Sequence, residues 1–513
     1  MKKINVLLIF FMLSAISVNS INLKLFKNSN YQNTQTKIKQ SPSRLRVSLT
    51  NPHLLETIEG EPVFINNYTV WSLIQNGSRE DILDFIPQCK NRGFNMISTV
   101  ILNDKYNGSS IYKLPAFTND SSGNPDPSKP MTTEGINPEI KGEYDYWDHV
   151  EFVINQAALN SMYISLHPTW GSWVSGEYNG PKKGDKLIFN VTNAYQYGFW
   201  LGRRFGAYSN VLWMIGGDRS AVYGKHDFRE IWRAMAEGLA DGTNGSNNQN
   251  GQADYNGVII SYHPRKWAAN SSEWFHNDSW LTFNSIQDTP YDQIKSLPYD
   301  YSLKPVKPTW LFEGRYEGAT SAWAVRYQAY QTVFAGAFGH TYGNENWQVP
   351  KNWREYMDLP GSKQMNFLYY ISRKIWSKKQ YLNRTPDQSI IIGDAGDTKG
   401  DGMTVGDGDG GPSSKQKGSA TSDRITAIRG INGDWAMVYS ANGRSVTLNL
   451  SKLSSGKKRA YWFNPRTGMW NKGERSFKKQ TPFLKNLKTG NGKHLFNPPG
   501  TPGANNDWVL IVK

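Results

Sequence analysis

Two acids stand where apolar runs stop. Asp218 closes "VLWMIGGD" and Glu313 closes "PTWLFE", and an arginine follows each within two residues, Arg219 and Arg315. A carboxylate at the tip of a buried strand can serve as proton donor, base or nucleophile. Two of them over one cavity are what cleavage of a glycosidic bond requires: one protonates the leaving oxygen, and the other attacks the sugar or activates water. Retention places the pair about 5–5.5 Å apart and inversion about 6.5–9.5 Å apart, a choice that sequence spacing leaves open. The competing expectation is structural, with each acid paired to its own arginine.

Around these acids the other apolar runs also end in groups suited to a sugar. Trp71, Trp170, Trp173, Tyr316, Tyr342 and Trp347 offer flat faces for a pyranose or furanose ring. Tyr68, His167, His263, Gln287, His340 and Asn344 offer hydrogen bonds, with Arg219 and Arg315 beside them. Three histidines at strand ends invite a metal. No HxH or HExxH spacing accompanies them, so sugar-hydroxyl contacts are expected instead, with no metal and no cofactor. No GxSxG elbow points to a serine nucleophile.

The elements that must hold these residues alternate. Eight strand-like stretches, "PVFIN", "NMISTVIL", "YISLH", "VLWMIGG", "GVIISYH", "WLTFNSIQ", "TWLFEG" and "AGAFGHTYG", are separated by amphipathic segments. One of those segments, "SREDILDFIPQCKNRG", opens on a capping box of Ser78 and Asp81. The alternation predicts a (β/α)8 barrel over residues 51–385, whose working side chains sit at the C-terminal strand ends. No dinucleotide fingerprint follows the first strand, which argues against a Rossmann sheet. Residues 386–513 change texture, beginning with a Gly/Asp-rich loop over 393–420 whose acids fit no EF-hand spacing. Short strands follow ("RITAIRG", "WAMVYSA", "SVTLNL", "KRAYWFNP", "DWVLIVK"), which predict a small antiparallel β-sandwich.

Residues 1–20 have the charged start, apolar stretch and small-residue end of an export signal, and 21–50 form a polar leader expected to be mobile. A secreted or periplasmic location follows, with no membrane span once the signal is removed. The single cysteine, Cys89, excludes an intrachain disulfide and is expected to be inert packing. The net charge of +15 is spread thinly rather than run together, so nucleic-acid binding is not expected. The expected partner is a carbohydrate, and the expected state a monomer.

Four motifs carry a family resemblance: "NVLWMIGGDRS", "ISYHPRKWAANSSEWFHNDSWLTFNSIQ", "PTWLFEGRYEG" and "AGAFGHTYGNENWQV". From about Asn51 to Tyr381 the chain resembles the apiosidase-like glycoside hydrolases. "RAYWFNPRTGMW" with the terminal "NDWVLIVK" is similar to the small β domain, named for collagen binding, that usually follows such a barrel. The resemblance implies an exported hydrolase of O-glycosidic bonds in a complex polysaccharide, pectin-like or otherwise acidic. Its catalytic Asp and Glu fall on Asp218 and Glu313, by position the acid/base and the nucleophile. Three stretches depart from the family pattern: Asn67 to Trp71, Asp288–Thr289, and Phe-Glu-Gly around Glu313. They lie where substrate should bind and bear on apiose as the sugar more than on hydrolysis. The alternative reading is a carbohydrate- or matrix-binding protein without turnover on the same scaffold.

Overall fold

The structure, a computed structural model, describes residues 41–513 apart from 107, 177–179, 183, 247, 267–269, 288–292, 400–420 and 471–479. The expected export signal, residues 21–40 of the leader and most of the Gly/Asp-rich loop lie outside the described residues.

Eight parallel strands make the central sheet: β1 (Ile65–Thr69), β2 (Met96–Leu102), β3 (Tyr163–Thr169), β4 (Val211–Ile215), β5 (Ile260–Tyr262), β6 (Asn284–Gln287), β7 (Thr309–Glu313) and β8 (Gly339–Asn344). They are ordered β5-β4-β3-β2-β1-β8-β7-β6. The ring is drawn shut between β5 and β6 by a bridge from Ile260 to Leu281 and by the Thr282 amide on the Ile260 carbonyl at 2.8 Å. Helices alternate with the strands: α1 (Arg79–Asn91), α2 (Tyr146–Leu159), α3 (Val191–Phe205), α4 (Arg229–Asn244), α5 (Ser271–Phe275), α6 (Gln293–Ser302), α7 (Ala322–Phe334) and α8 (Pro360–Tyr369). This is the (β/α)8 barrel that the alternation predicts. Helix α1 opens on its capping box, with Ser78 Oγ accepting from the Asp81 amide and the Asp81 side chain accepting from the Ser78 amide. Cys89 is fully buried on the inner face of α1, and burial pushes its thiol well above the usual range. Among the described residues no helix is long and apolar enough to cross a membrane.

The start of the chain differs from expectation. Pro62–Val63 is not part of the barrel but pairs with Leu55–Thr57, which pairs in turn with Leu45–Val47. The last part of the expected mobile leader is therefore a strand. Its polar residues have partners, since Ser48 Oγ and Arg46 Nε donate to the Glu56 carboxylate at 2.7 and 3.0 Å. Polar composition conceals a strand when one buried acid satisfies the side chains.

Strand periodicity decides which tip residues see the lumen. Asn67 on β1 points inward and donates to Ser98 Oγ and Thr341 Oγ1 at 2.7 and 3.2 Å. Tyr68 points the other way, packing on Phe85, Phe94 and Tyr342 beneath α1. Strand β7 breaks the rule at one point. Its ladder with β6 pairs Ser285 with Trp310, Ile286 with Leu311 and Gln287 with Glu313, so Phe312 is an extra residue in a β-bulge. Leu311 and Ile286 pack outward with Leu297 and Ala337. Phe312 faces inward, its ring 5.3 Å from His167 and 4.9 Å from His263. Simple alternation would send Glu313 outward with Leu311; the bulge returns it to the lumen side.

Behind the barrel lies an antiparallel sheet in the order β9-β10-β11-β17-β13-β14, built from β9 (Arg384–Pro386), β10 (Ile425–Gly430), β11 (Ala436–Ser440), β13 (Lys457–Asn464), β14 (Met469–Trp470) and β17 (Trp508–Val512). A further strand, β15 (Leu484–Lys488), pairs with β13. A smaller sheet of Ile391–Ile392, β12 (Val446–Asn449) and β16 (Lys493–Phe496) covers one face. Along β11, β13 and β17, Val438, Trp462 and Leu510 fill the space between the two sheets. The alternate residues, including Met437, Tyr439, Tyr461, Phe463 and Ile511, join the barrel's own core. Each such side chain contributes roughly 1.5–3 kcal/mol on burial, so this face binds the sheet firmly to the helices. Polar anchors reinforce the contact: Trp323 Nε1 on α7 donates to the Ala441 carbonyl at 3.0 Å, and Trp376 stacks on Trp435 at 4.4 Å.

Candidate active site

Strand β4 delivers Asp218 through three consecutive residues of positive φ: Gly216 (+97°), Gly217 (+50°) and Asp218 itself (+59°). The glycines are required by crowding as well as by torsion. A Cβ on Gly217 would lie 2.4 Å from the Gly171 amide nitrogen, and one on Gly216 would lie 2.6 Å from the His263 carbonyl. The left-handed turn at Asp218 is a strained position for a non-glycine residue, of the kind that clusters at working sites.

Glu313 comes from the other side of the ring, and the two acids meet. Asp218, His263 and Glu313 each place one side-chain atom within 4.8 Å of the others'. Glu313 accepts three hydrogen bonds or close contacts. The Tyr316 hydroxyl lies 2.5 Å from Oε1, while Gln287 Nε2 and His263 Nε2 each lie 2.8 Å from Oε2. Trp71 Nε1 donates in turn to the Tyr316 hydroxyl at 2.7 Å. Asp218 Oδ2 sits 3.2 Å from Arg219 Nη1, yet its side chain keeps 26% of its exposure, so the arginine does not seal it.

These surroundings split the two carboxyls. Burial raises Glu313, but the hydrogen bond from His263, the Tyr316 hydroxyl and the Lys266 charge together outweigh it and leave the group below its usual range. Burial also raises Asp218, and there the neighbouring Glu313 charge adds to it. Arg219 pulls the other way without reversing the shift, so Asp218 ends above its usual range. One acid is thus biased toward the ionised form and the other toward holding its proton.

A cavity of about 130 Å³ opens over the pair. Of the residues expected at the site, Trp71, Trp170, Asp218, Arg219, Gln287, Glu313, Tyr316 and Trp347 line it. His167 and His263 lie directly beneath, both fully enclosed, with His263 against Glu313. The remaining candidates do not reach it, and parity is the reason. Tyr68, His340 and Tyr342 leave their strands on the helix side: His340 is registered opposite Asn66 and Tyr342 opposite Tyr68. Tyr342 donates to Glu317 at 2.6 Å, and Asn344 caps the 3-10 turn Glu345–Gln348. Arg315 is buried over the Tyr327 ring, 5.9 Å from its centroid, rather than beside Glu313. Trp173 is buried in the short helix Ser172–Ser175.

Five further residues line the cavity: Asn103, Asp104 and Lys105 after β2, and Arg265 and Lys266 after β5. The same strand-tip rule, applied to the second strand and carried past His263, would have found them in "ILNDKYN" and "YHPRKW". Lys105 Nζ lies 4.8 Å over the Trp347 ring. Among the described residues the one trio with the reach to share a cation is Asp218, His263 and Glu313. Two of its atoms already face each other at 2.8 Å.

A family model described as "Apiosidase-like, catalytic domain" matches residues 50–381. The chain belongs to the apiosidase-like family. A second model, "Putative collagen-binding domain of a collagenase", matches residues 414–513. Among solved structures, a glycoside hydrolase family 5 protein from Bacteroides vulgatus is 25% identical, covers 91% of this chain and 93% of its own, and superposes with a TM-score of 0.69. A structure titled "Glycoside hydrolase" is 27% identical over 92% of this chain and 96% of its own, with a TM-score of 0.70. No curated protein matches the chain. Family and fold together make this apiosidase-like protein a glycoside hydrolase.

Proposed function

We propose that this apiosidase-like protein is an exported, retaining glycosidase that cleaves a complex acidic polysaccharide of the pectin type, using Asp218 as acid/base and Glu313 as nucleophile. The observation that carries the reading is the approach of the two carboxylates to within 4.8 Å, with their proton affinities pushed apart. That distance suits the retaining arrangement, about 5–5.5 Å, and leaves no room for the water an inverting pair holds between its members. In the first step Glu313 attacks the anomeric carbon while Asp218 gives its proton to the departing oxygen. In the second, Asp218 takes a proton from water, and that water displaces Glu313 from the sugar. Trp71, Trp170 and Trp347 supply stacking faces. Lys105, Arg219, Arg265 and Lys266 give the mouth a positive field that favours a uronate or sulfated chain. The reading takes residues 51–385 as the catalytic domain and 386–513 as its brace, in a monomer outside the cytoplasm.

The purified protein, screened against plant and algal polysaccharides beside Asp218→Asn and Glu313→Gln, tests this. Release of reducing sugar by the wild type alone, with the anomeric configuration of the first product kept, is the expected result. Product of inverted configuration, or equal release by the variants, overturns it.

A further inference from the structure

We propose that His167 is a positioning residue: it fixes the ring proton of His263 on the nitrogen that faces Glu313. The inference rests on Glu313 being the nucleophile. His263 Nε2 lies 2.8 Å from Glu313 Oε2, and an ionised carboxylate only accepts, so the His263 proton belongs on Nε2. The other nitrogen, Nδ1, then presents a lone pair. Facing it at 3.3 Å is His167 Nε2. Both rings are fully enclosed. Burial, and then the neighbouring His263, hold His167 well below the usual histidine range, so it is neutral and carries one proton.

With that proton on Nε2 the chain runs in one direction, His167 to His263 to Glu313, and every contact has one hydrogen. The opposite tautomer puts the His167 proton on Nδ1, toward the Thr99 backbone. His263 must then place its only proton on Nδ1 and set a bare nitrogen against a carboxylate, or carry two protons and bury a full charge. Both alternatives cost desolvation that the first arrangement avoids. The rings cannot turn away from each other, because Phe312 packs against both and Trp71 stacks on His263 at 5.6 Å and 25°. Gln287 and Tyr316 supply the other donors to Glu313, while Asp218 and Lys266 are the charges that face it. His167 does not line the cavity, and its hydrogen-bonded route to Glu313 runs through His263. This also explains why a histidine at a strand tip does not bind sugar.

The full-length protein labelled with ¹⁵N-histidine reads the tautomers directly, without any substrate. His167 and His263 should each carry their ring proton on Nε2. A proton on His167 Nδ1, or a doubly protonated His263, overturns the proposal whatever the fate of the nucleophile assignment. Kinetics on the polysaccharide found by screening give the second readout. His167→Leu should lower kcat about 10- to 100-fold with KM within about twofold, and should move the acid limb of the kcat/KM profile upward as Glu313 loses a donor. His167→Gln offers an amide N–H to His263 and should recover most of kcat. Equal loss in both variants with an unmoved acid limb overturns the proposal. Should the leucine variant not fold, the glutamine variant and the ring shifts still decide. Full activity in Glu313→Gln would instead strike the nucleophile assignment while leaving the tautomers readable.

Discussion

The rear sheet is held to the barrel by a buried ion pair, and breaking it should destabilise the whole molecule. Arg326 on α7 meets Asp507 through Nε to Oδ2 at 3.0 Å and Nη2 to Oδ1 at 2.8 Å. The two side chains retain 3% and 0% of their exposure. Tyr439 donates to the same carboxylate at 3.1 Å, and Gln364 accepts from Arg326 at 2.8 Å. Asp507→Asn keeps the shape and some hydrogen bonds but leaves the guanidinium charge uncompensated. Removing one partner of such a pair costs about 3–5 kcal/mol, and the retained bonds place this case near 3. With a urea m-value of about 3 kcal/mol/M, the midpoint should fall by about 1 M. Tryptophan fluorescence, far-UV circular dichroism and residual hydrolysis should be followed together at pH 7 and should report one transition. The reason for a single transition is placement: α7 begins nine residues past Glu313 and carries Arg326, so the sheet and the strand that bears Glu313 share a helix. Arg326→Met with Asp507→Leu should recover most of the loss, because an apolar replacement removes both charges at once. A fall of less than about 0.3 M, or loss of β-sheet signal while the barrel still hydrolyses substrate, would refute the reasoning.

Asp218→Asn should reduce kcat/KM about 10²- to 10⁴-fold on polysaccharide and far less on an aryl glycoside whose leaving group needs no proton; equal losses on both would deny Asp218 the acid role. Wild-type kcat/KM should climb with pH as Glu313 releases its proton below the usual carboxylate range and fall as Asp218 releases its own above it. In Asp218→Asn initial rates the alkaline limb should therefore vanish. Asp300 is fully buried against Ser272, and burial pushes it up from 3.8 to about 6. A raised carboxyl binds its proton more tightly in the folded state, so its contribution is present below the unfolded value and is lost as pH rises through about 6. Asp300→Asn should thus exceed the wild type by up to about 3 kcal/mol in urea unfolding at pH 8 and match it near pH 3; no gain at pH 8 would contradict the burial argument. Lys105→Ala should raise KM on a uronate-rich chain several-fold with kcat unchanged, and should flatten its dependence on ionic strength; an unchanged salt response would remove Lys105 from substrate recognition.

Much of the architecture was legible because it rests on alternation. Apolar runs such as "MISTVIL" and "VLWMI" are buried on both faces and become barrel strands, and the turns that follow hold the polar groups. The convergence of Asp218 and Glu313 followed from strand order. Facing was harder to read. His340 near the start of β8 and Tyr342 toward its end both leave on the helix side, and only the register against β1 reveals it. Glu313 would have failed the same parity test, since nothing in "TWLFE" announces that Phe312 is an unpaired residue. The strand at Leu45–Val47 was hidden for a different reason: its stability resides in long-range bonds to Glu56 and not in its own composition.

The unpaired Phe312 also separates two properties that enzymes of this shape must vary independently. The bearing of Glu313 is set inside the sheet, between β6 and β7, before the chain reaches any loop. Loops beyond it can lengthen, shorten or exchange residues to suit a new sugar without turning the carboxylate. The converse also holds: the rim can be rewritten freely, whereas straightening the bulge while keeping Phe312 in the strand would turn the Glu313 side chain toward the helices.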